Sequence, residues 1–185
     1  EFKDIAGYPE FMRVRAEYWN GDETNSFDNY QFESPVSTQV TGSVDLGIDF
    51  VGDPSTVQVE ITAYRGVFPM ESQIVFLDAN SQVSANLTTP GLVTLAIKPS
   101  HWLRAKTNEL ALAGGTVVFD TISPQNGDID GDDAVTVFDY GALSDAFDTM
   151  DGDTNWDARA DLDGDGAVTV FDYGILSDNF DKAGE

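Results

Sequence analysis

Asp128–Phe147 reads DIDGDDAVTVFDYGALSDAF, and Asp161–Phe180 reads DLDGDGAVTVFDYGILSDNF. Sixteen of the twenty positions are identical, at a period of 33 residues. Two copies are too few to stack as a solenoid. They suit two equivalent units packed face to face about a pseudo-two-fold axis. Each copy begins with acids at alternate positions and then runs into one apolar segment of helical length. The repeat therefore predicts a loop followed by a helix, made twice.

The acids carry the chemistry. Loop positions 1, 3, 5 and 12 hold Asp128, Asp130, Asp132 and Asp139 in the first copy, and Asp161, Asp163, Asp165 and Asp172 in the second. Alternate side chains of a tight loop converge on one centre, and a hard cation wants six to eight oxygens, so this spacing points to Ca²⁺ in an EF-hand-like loop. The carbonyls of Ala134 and Ala167 at position 7 supply a further oxygen. Thr136 and Thr169 at position 9 are candidates to contribute directly or through water. Without a cation, four carboxylates so close together repel one another, so binding and folding of this half are expected to be coupled. The valines at position 8, Val135 and Val168, are expected to tie the loops together by a strand-like contact. Position 6, which favours positive φ, is Gly166 in the second loop and Asp133 in the first. The first site is therefore expected to be weaker unless Asp133 finds a partner of its own.

A loop and one helix, repeated after a short insert, with Asp at position 12, resembles a type I dockerin domain. The likeness runs from Asn126 to the end of the chain. The connector Asp151–Asp161, DGDTNWDARAD, also resembles that of dockerins in extracellular bacterial proteins. Residues 90–106, PGLVTLAIKPSHWLRAK, look like part of the β-sandwich that precedes such dockerins, similar to carboxypeptidase-regulatory or transthyretin-like domains. The resemblance implies calcium binding and, for family dockerins, a cohesin partner. Their recognition pair at positions 10 and 11 is usually Ser-Thr. Here it is Val137-Phe138 and Val170-Phe171, and the later basic positions hold Ser144-Asp145 and Ser177-Asp178. Such apolar pairs are expected to pack within the protein or between subunits, or to form a greasier interface.

Upstream of Pro124 the signals are those of strands. Met12–Trp19, Gln39–Phe50, Thr56–Tyr64, Gln73–Leu77, Gln82–Leu87, Leu92–Lys98 and Thr116–Ile122 are rich in β-formers, and turn residues separate them. The expected fold is mainly β with a small α part. An antiparallel sandwich of about seven strands occupies residues 1–123 with an N-terminal arm, and the calcium-binding pair of loop–helix units occupies 126–185. The arm, Glu1–Phe11, carries Phe2, Ile5, Tyr8 and Phe11, and either packs on its own sandwich or reaches a neighbour. His101-Trp102 is read as a packed aromatic pair, and Trp156 as a plug of the loop–helix core. Tyr18, Trp19 and Tyr30 are core aromatics or a sugar-stacking platform. Asp151, Asp153 and Asp157 are a solvated acidic loop or a third cation site. Asn86-Leu-Thr88 is a glycosylation sequon.

The charge sets the partners. The chain has 185 residues, 33 acidic and 9 basic, for a formal net charge of −24. Residues 126–185 hold 17 of the acids and only Arg159 and Lys182 as bases. Nucleic acid and anionic membrane surfaces are disfavoured as partners, and no stretch is apolar enough for membrane insertion. With no cysteine, thiolate sites and disulfides are excluded, and the single histidine, His101, leaves little room for a catalytic triad or a His-based zinc site. A start at Glu1 without Met is read as a processed secretory terminus or a cloning scar. The short stretch Ser123–Gly127 between the halves favours two domains packed together over a mobile adaptor. The expected function is a non-catalytic, secreted, calcium-stabilised subunit of a bacterial extracellular or cell-surface assembly, with other copies of itself as partners. The alternatives are a dockerin adaptor that binds a cohesin-like protein, and a carbohydrate-binding module.

Overall fold

The computed structural model describes residues 36–185. The predicted strand Met12–Trp19, the arm Glu1–Phe11 and the aromatics Tyr18, Trp19 and Tyr30 lie outside the described residues. Ten strands and two helices follow in chain order: β1 (Thr38–Ser43), β2 (Gln58–Arg65), β3 (Phe68–Phe76), β4 (Gln82–Leu87), β5 (Gly91–Pro99), β6 (Ala105–Lys106), β7 (Leu110–Leu112), β8 (Gly115–Val118), α1 (Val137–Ala146), β9 (Thr149–Met150), β10 (Ala167–Val168) and α2 (Val170–Asp178).

The β-strands up to β8 form a sandwich. One sheet has the order β4-β1-β8; the other has the order β3-β2-β5-β6, with β7 pairing another stretch of β5. Strand β4 shows why: Val83, Ala85 and Leu87 point inward and alternate with exposed Gln82, Ser84 and Asn86. Val40 of β1, Val59 and Ile61 of β2, and Leu95 and Ile97 of β5 fill the space between the sheets, each fully buried. The sequon residue Asn86 is therefore on the outer face.

Two expectations need correction. The sandwich is not wholly antiparallel: β8 runs parallel to β1 in the register Thr38↔Gly115 to Thr41↔Val118. Contacts at both ends hold it there: the Gly114 N–H donates to Thr38 Oγ1 at 2.8 Å, and the Phe119 N–H donates to the Thr41 carbonyl at 2.9 Å. The stretch Gln39–Phe50 is also not one strand. Asp45 Oδ1 accepts the Gly47 N–H at 3.0 Å, and Gly47 has φ of 91°, so the chain turns out of the sheet after Val44.

A second core, built on Leu103, Ile129, Val135, Leu143, Leu162 and Leu176, belongs to the loop–helix half. Trp156 packs against it, half-buried, as expected. Residues 36–185 nonetheless belong to one compact unit, because the two cores are joined by main chain. Trp102 bridges to Asn126, the Leu103 N–H donates to the Gln125 carbonyl at 2.7 Å, and the N–H groups of Gly127 and Asp128 both donate to the His101 carbonyl. From the other side, the N–H groups of Val51 and Gly52 donate to the Asp163 carbonyl at 2.8 and 3.2 Å. The short connector is thus a paired edge.

His101 and Trp102 are a packed pair, stacked at 4.1 Å between centroids, and Trp102 Nε1–H reaches the Leu46 carbonyl at 3.2 Å. Asn126 fixes the imidazole. Its amide nitrogen donates to the Leu162 carbonyl at 2.7 Å, which leaves its Oδ1 to accept from His101 Nδ1 at 2.8 Å. One side chain thereby links a β-domain histidine to the second acidic loop.

Two predictions follow from this junction. Gly164 has φ of 76°, and a Cβ there would lie 2.7 Å from the Phe50 ring and 3.0 Å from the Gly52 Cα. Gly164→Ala should cost about 2–4 kcal/mol in urea unfolding. Gly152→Ala has φ of 97° but nothing within 4 Å, and should cost only about 1 kcal/mol. Burial pushes His101 down to about 4, helped by the Lys98 charge and opposed by the Asn126 hydrogen bond. The unfolded chain then takes up a proton near pH 6.5 that the folded one refuses until about pH 4. Stability is therefore retained above pH 6.5 and lost as pH falls through that window, by up to about 3 kcal/mol. The difference in melting temperature between pH 7 and pH 4.5 should shrink in His101→Gln.

Candidate metal centres

Both acidic loops owe their shape to the residue at position 12. Thr136 and Thr169 stand at the N-caps of α1 and α2 in extended conformation, and their side-chain oxygens accept the N–H groups of Phe138 and Phe171 at 3.1 and 3.2 Å. Asp139 and Asp172, three residues on, complete reciprocal capping boxes by accepting the N–H groups of Thr136 and Thr169, each at 2.7 Å. The other oxygen of Asp139 accepts the N–H groups of Ile129 and Asp130 at 2.7 and 3.0 Å. Asp172 does the same for Leu162 and Asp163 at 2.7 and 3.2 Å. Each fully buried carboxylate therefore clamps the start of its loop to the start of its helix.

The remaining acids curl inward by the same chemistry. Asp128 Oδ1 accepts the Gly131 N–H and Asp161 Oδ1 the Gly164 N–H, both at 2.9 Å; Asp130 and Asp163 accept from Asp132 and Asp165, two residues on. These turns bring oxygens of Asp128, Asp130 and Asp139 within 4.8 Å of one another, and likewise oxygens of Asp161, Asp163 and Asp165. Asp132 and Asp172 fall outside these two tight groups. Their backbone bonds match those of their counterparts Asp165 and Asp139, which lie inside the groups. The carboxylates are an all-oxygen donor set of the kind a hard divalent cation takes.

The electrostatics agree with the geometry. Burial, with the charges of Asp172, Asp165 and Asp161, pushes Asp163 up to about 6, against the Asp165 N–H that lowers it. Burial likewise raises Asp161. A bound cation would reverse both effects.

The loops also differ from the expected picture in their pairing. Val135 and Val168 are fully buried, but they do not pair with each other. Val135 exchanges hydrogen bonds with Asp181 and Lys182, beyond α2, while Val168 pairs with the Asp148–Thr149 segment beyond α1. Each loop is therefore stitched to the tail of the opposite helix.

Asp133 has φ of 73°, the left-handed conformation that Gly166 adopts at 89°. It does gain a partner: Oδ1 accepts the Arg104 N–H at 2.7 Å, and Oδ2 lies 3.2 Å from the Arg104 guanidinium. Sequence reading also missed Lys98 of β5. Its ammonium lies 2.5 Å from Asp128 Oδ2 and donates to the Trp102 carbonyl at 2.7 Å. Nothing in the local pattern of β5 marks that lysine, because its partner lies thirty residues away. In the connector, Asp157 forms a pair with Arg159, which holds its carboxyl low, and Asp153 accepts the Met150 N–H. These acids shape turns and do not converge with Asp151 into a third group among the described residues.

The apolar pairs are on the surface. Val137, Phe138, Val170 and Phe171 are 63, 71, 64 and 70% exposed. Of the expected alternatives, packing within the chain is ruled out for them: Leu143 and Ala146 of α1, with Ile175 and Leu176 of α2, take the inward face. Val137 and Tyr140 stand one turn apart, as do Val170 and Tyr173, and the two tyrosines meet edge-to-face at 5.9 Å. Their contact joins both helix starts into one surface.

Asp139→Asn would set an amide N–H₂ against backbone donors. In chelator, where no cation contributes, it should lower stability by about 2–3 kcal/mol in urea unfolding. Thr136→Ala, which loses only a cap, should lower it by about 1 kcal/mol.

No protein-family model matches the chain, and no curated protein matches it. Its fold is similar to that of a chain in a type II cohesin–X-dockerin complex from Acetivibrio cellulolyticus, solved as a C-terminal interface mutant. The identity is 23% and the TM-score 0.61, over 79% of this chain and 97% of the other. A chain of the N-terminal interface mutant of that complex gives 21%, 0.59, 80% and 97%. The β-domain with its N-terminal arm, up to residue 123, takes up about two thirds of the 185 residues, so a match over 79% of the chain runs on into the loop–helix half. The shared fold is mainly β, with mostly antiparallel strands in a sandwich and two helices.

Proposed function

We propose that this chain is a non-catalytic, calcium-dependent protein-interaction module that works outside the cell. Two Ca²⁺ ions, one per loop, are held by Asp128, Asp130, Asp132 and Asp139, and by Asp161, Asp163, Asp165 and Asp172, with the carbonyls of Ala134 and Ala167. They fix two helices whose first turns present an apolar surface to a protein partner. The observation that carries the reading is this surface. Val137, Phe138, Val170 and Phe171 are exposed in matching places on a repeated unit, directly after the residues that hold the cation. Exposed apolar groups in a contiguous, symmetric arrangement mark a docking face. They occupy the positions where the dockerins resembled by the sequence carry their recognition pair. The neighbouring structures are themselves complexes named for cohesin and X-dockerin, which supports a cohesin-like β-sandwich as the partner.

A second reading, self-assembly through the same chain, draws on a different place. The edge strand β3 exposes Phe68, Met70, Ile74 and Phe76. A structural subunit joined through this strand would be insensitive to changes at the helix starts.

The two readings separate by experiment. Immobilised chain should bind a type II cohesin domain in millimolar calcium, and chelator should abolish the signal. Phe138→Ser combined with Phe171→Ser should weaken it at least about tenfold. Concentration-dependent self-association that survives this double change but is lost in Ile74→Lys would favour the structural subunit. A chain that stays monomeric and binds no cohesin contradicts both.

A further inference from the structure

The two loops repeat each other so closely that their differences are informative. At position 1, Asp128 and Asp161 make the same backbone bonds: Oδ1 accepts from position 4 at 2.9 Å and Oδ2 from position 6 at 3.0 Å. Asp128 Oδ2 alone carries a third partner, the Lys98 ammonium at 2.5 Å. That lysine comes from β5 of the sandwich, and its side chain is 11% exposed against a fully buried Asp128 carboxylate. The β-domain meets the second loop differently. There the Val51 and Gly52 N–H groups reach the Asp163 carbonyl, and His101 connects through Asn126, whose amide donates to the Leu162 carbonyl. These contacts are neutral.

We infer that Lys98 makes the two cation loops unequal: the second loop fills first, and the first is a weaker site whose occupancy is tied to the β-domain. The inference rests on the calcium reading above. A buried ammonium on a liganding carboxylate withdraws negative charge from the site and stands within a few ångströms of the incoming cation, where repulsion is little screened. The other extra charges of the first loop do not offset it, because Asp133 is matched by Arg104. Lys98 also holds the Trp102 carbonyl, so a shift of its ammonium on cation binding would be felt at the junction of the two cores.

The test is calcium titration of the full chain by calorimetry. The native chain should show two steps, and Asp161→Asn should remove the tighter one. Lys98→Met should tighten the weaker step by about tenfold or more and leave the other unchanged. Lys98→Arg, which keeps the charge, should preserve the separation and guards against an effect of misfolding. Two steps that Lys98→Met leaves in place, or two equal sites in the native chain, would overturn the inference while leaving the calcium reading intact. No binding at either loop would overturn both.

Discussion

Two fully buried carboxylates, Asp139 and Asp172, are the hinge on which this structure turns. Each accepts three backbone N–H groups and so defines where a loop begins, where a helix begins, and how the two face each other. The same geometry draws further acids into the loop, and that crowding is the cost of the arrangement. In a chain of net charge −24, crowded, partly desolvated carboxylates repel one another, and a cation sharing the site would relieve that repulsion. The local hydrogen bonds of the loop–helix half are satisfied by its own chain, and we propose that Ca²⁺ balances its charge.

That constraint does not stop at the domain boundary. The β-domain meets both loops directly, through Lys98 and Arg104 on the first and through Val51 and Gly52 on the second, where Asn126 also links His101 to Leu162. The short stretch after Ile122 is consumed by pairing with Trp102 and Leu103. An adaptor on a flexible tether would have no such contacts. The helix starts of this protein are instead held at a fixed position relative to the sandwich, which suits presentation of one composite surface to a partner.

Much of this was legible in the residues, and the limits are instructive. The 33-residue repeat gave the loops, the helices and the candidate ligands, because capping and alternate-position ligation are local and survive in the pattern. Strand β4 matched its predicted bounds, and β2 and β5 lay close to theirs, where alternation was strict. Sequence reading failed where the deciding partner was remote. The parallel pairing of β8 with β1 depends on Thr38 and Thr41, more than seventy residues earlier. The valines at position 8 found the tail of the opposite helix instead of each other. Asp133, Lys98, Arg104 and the neutral, buried His101 acquired their roles only from neighbours in the other core. The exposure of Val137-Phe138 and Val170-Phe171 is of the same kind, since only the packed helices reveal which face turns inward.

The central claim is that a cation holds the loop–helix half together and, through it, the junction with the β-domain. Amide hydrogen exchange with saturating calcium and with chelator tests it most directly. The account predicts that chelation releases protection in α1 and α2 and at the junction amides of Val51, Leu103 and Gly127, while β2 and β5 stay protected. Identical exchange in the two conditions would contradict it.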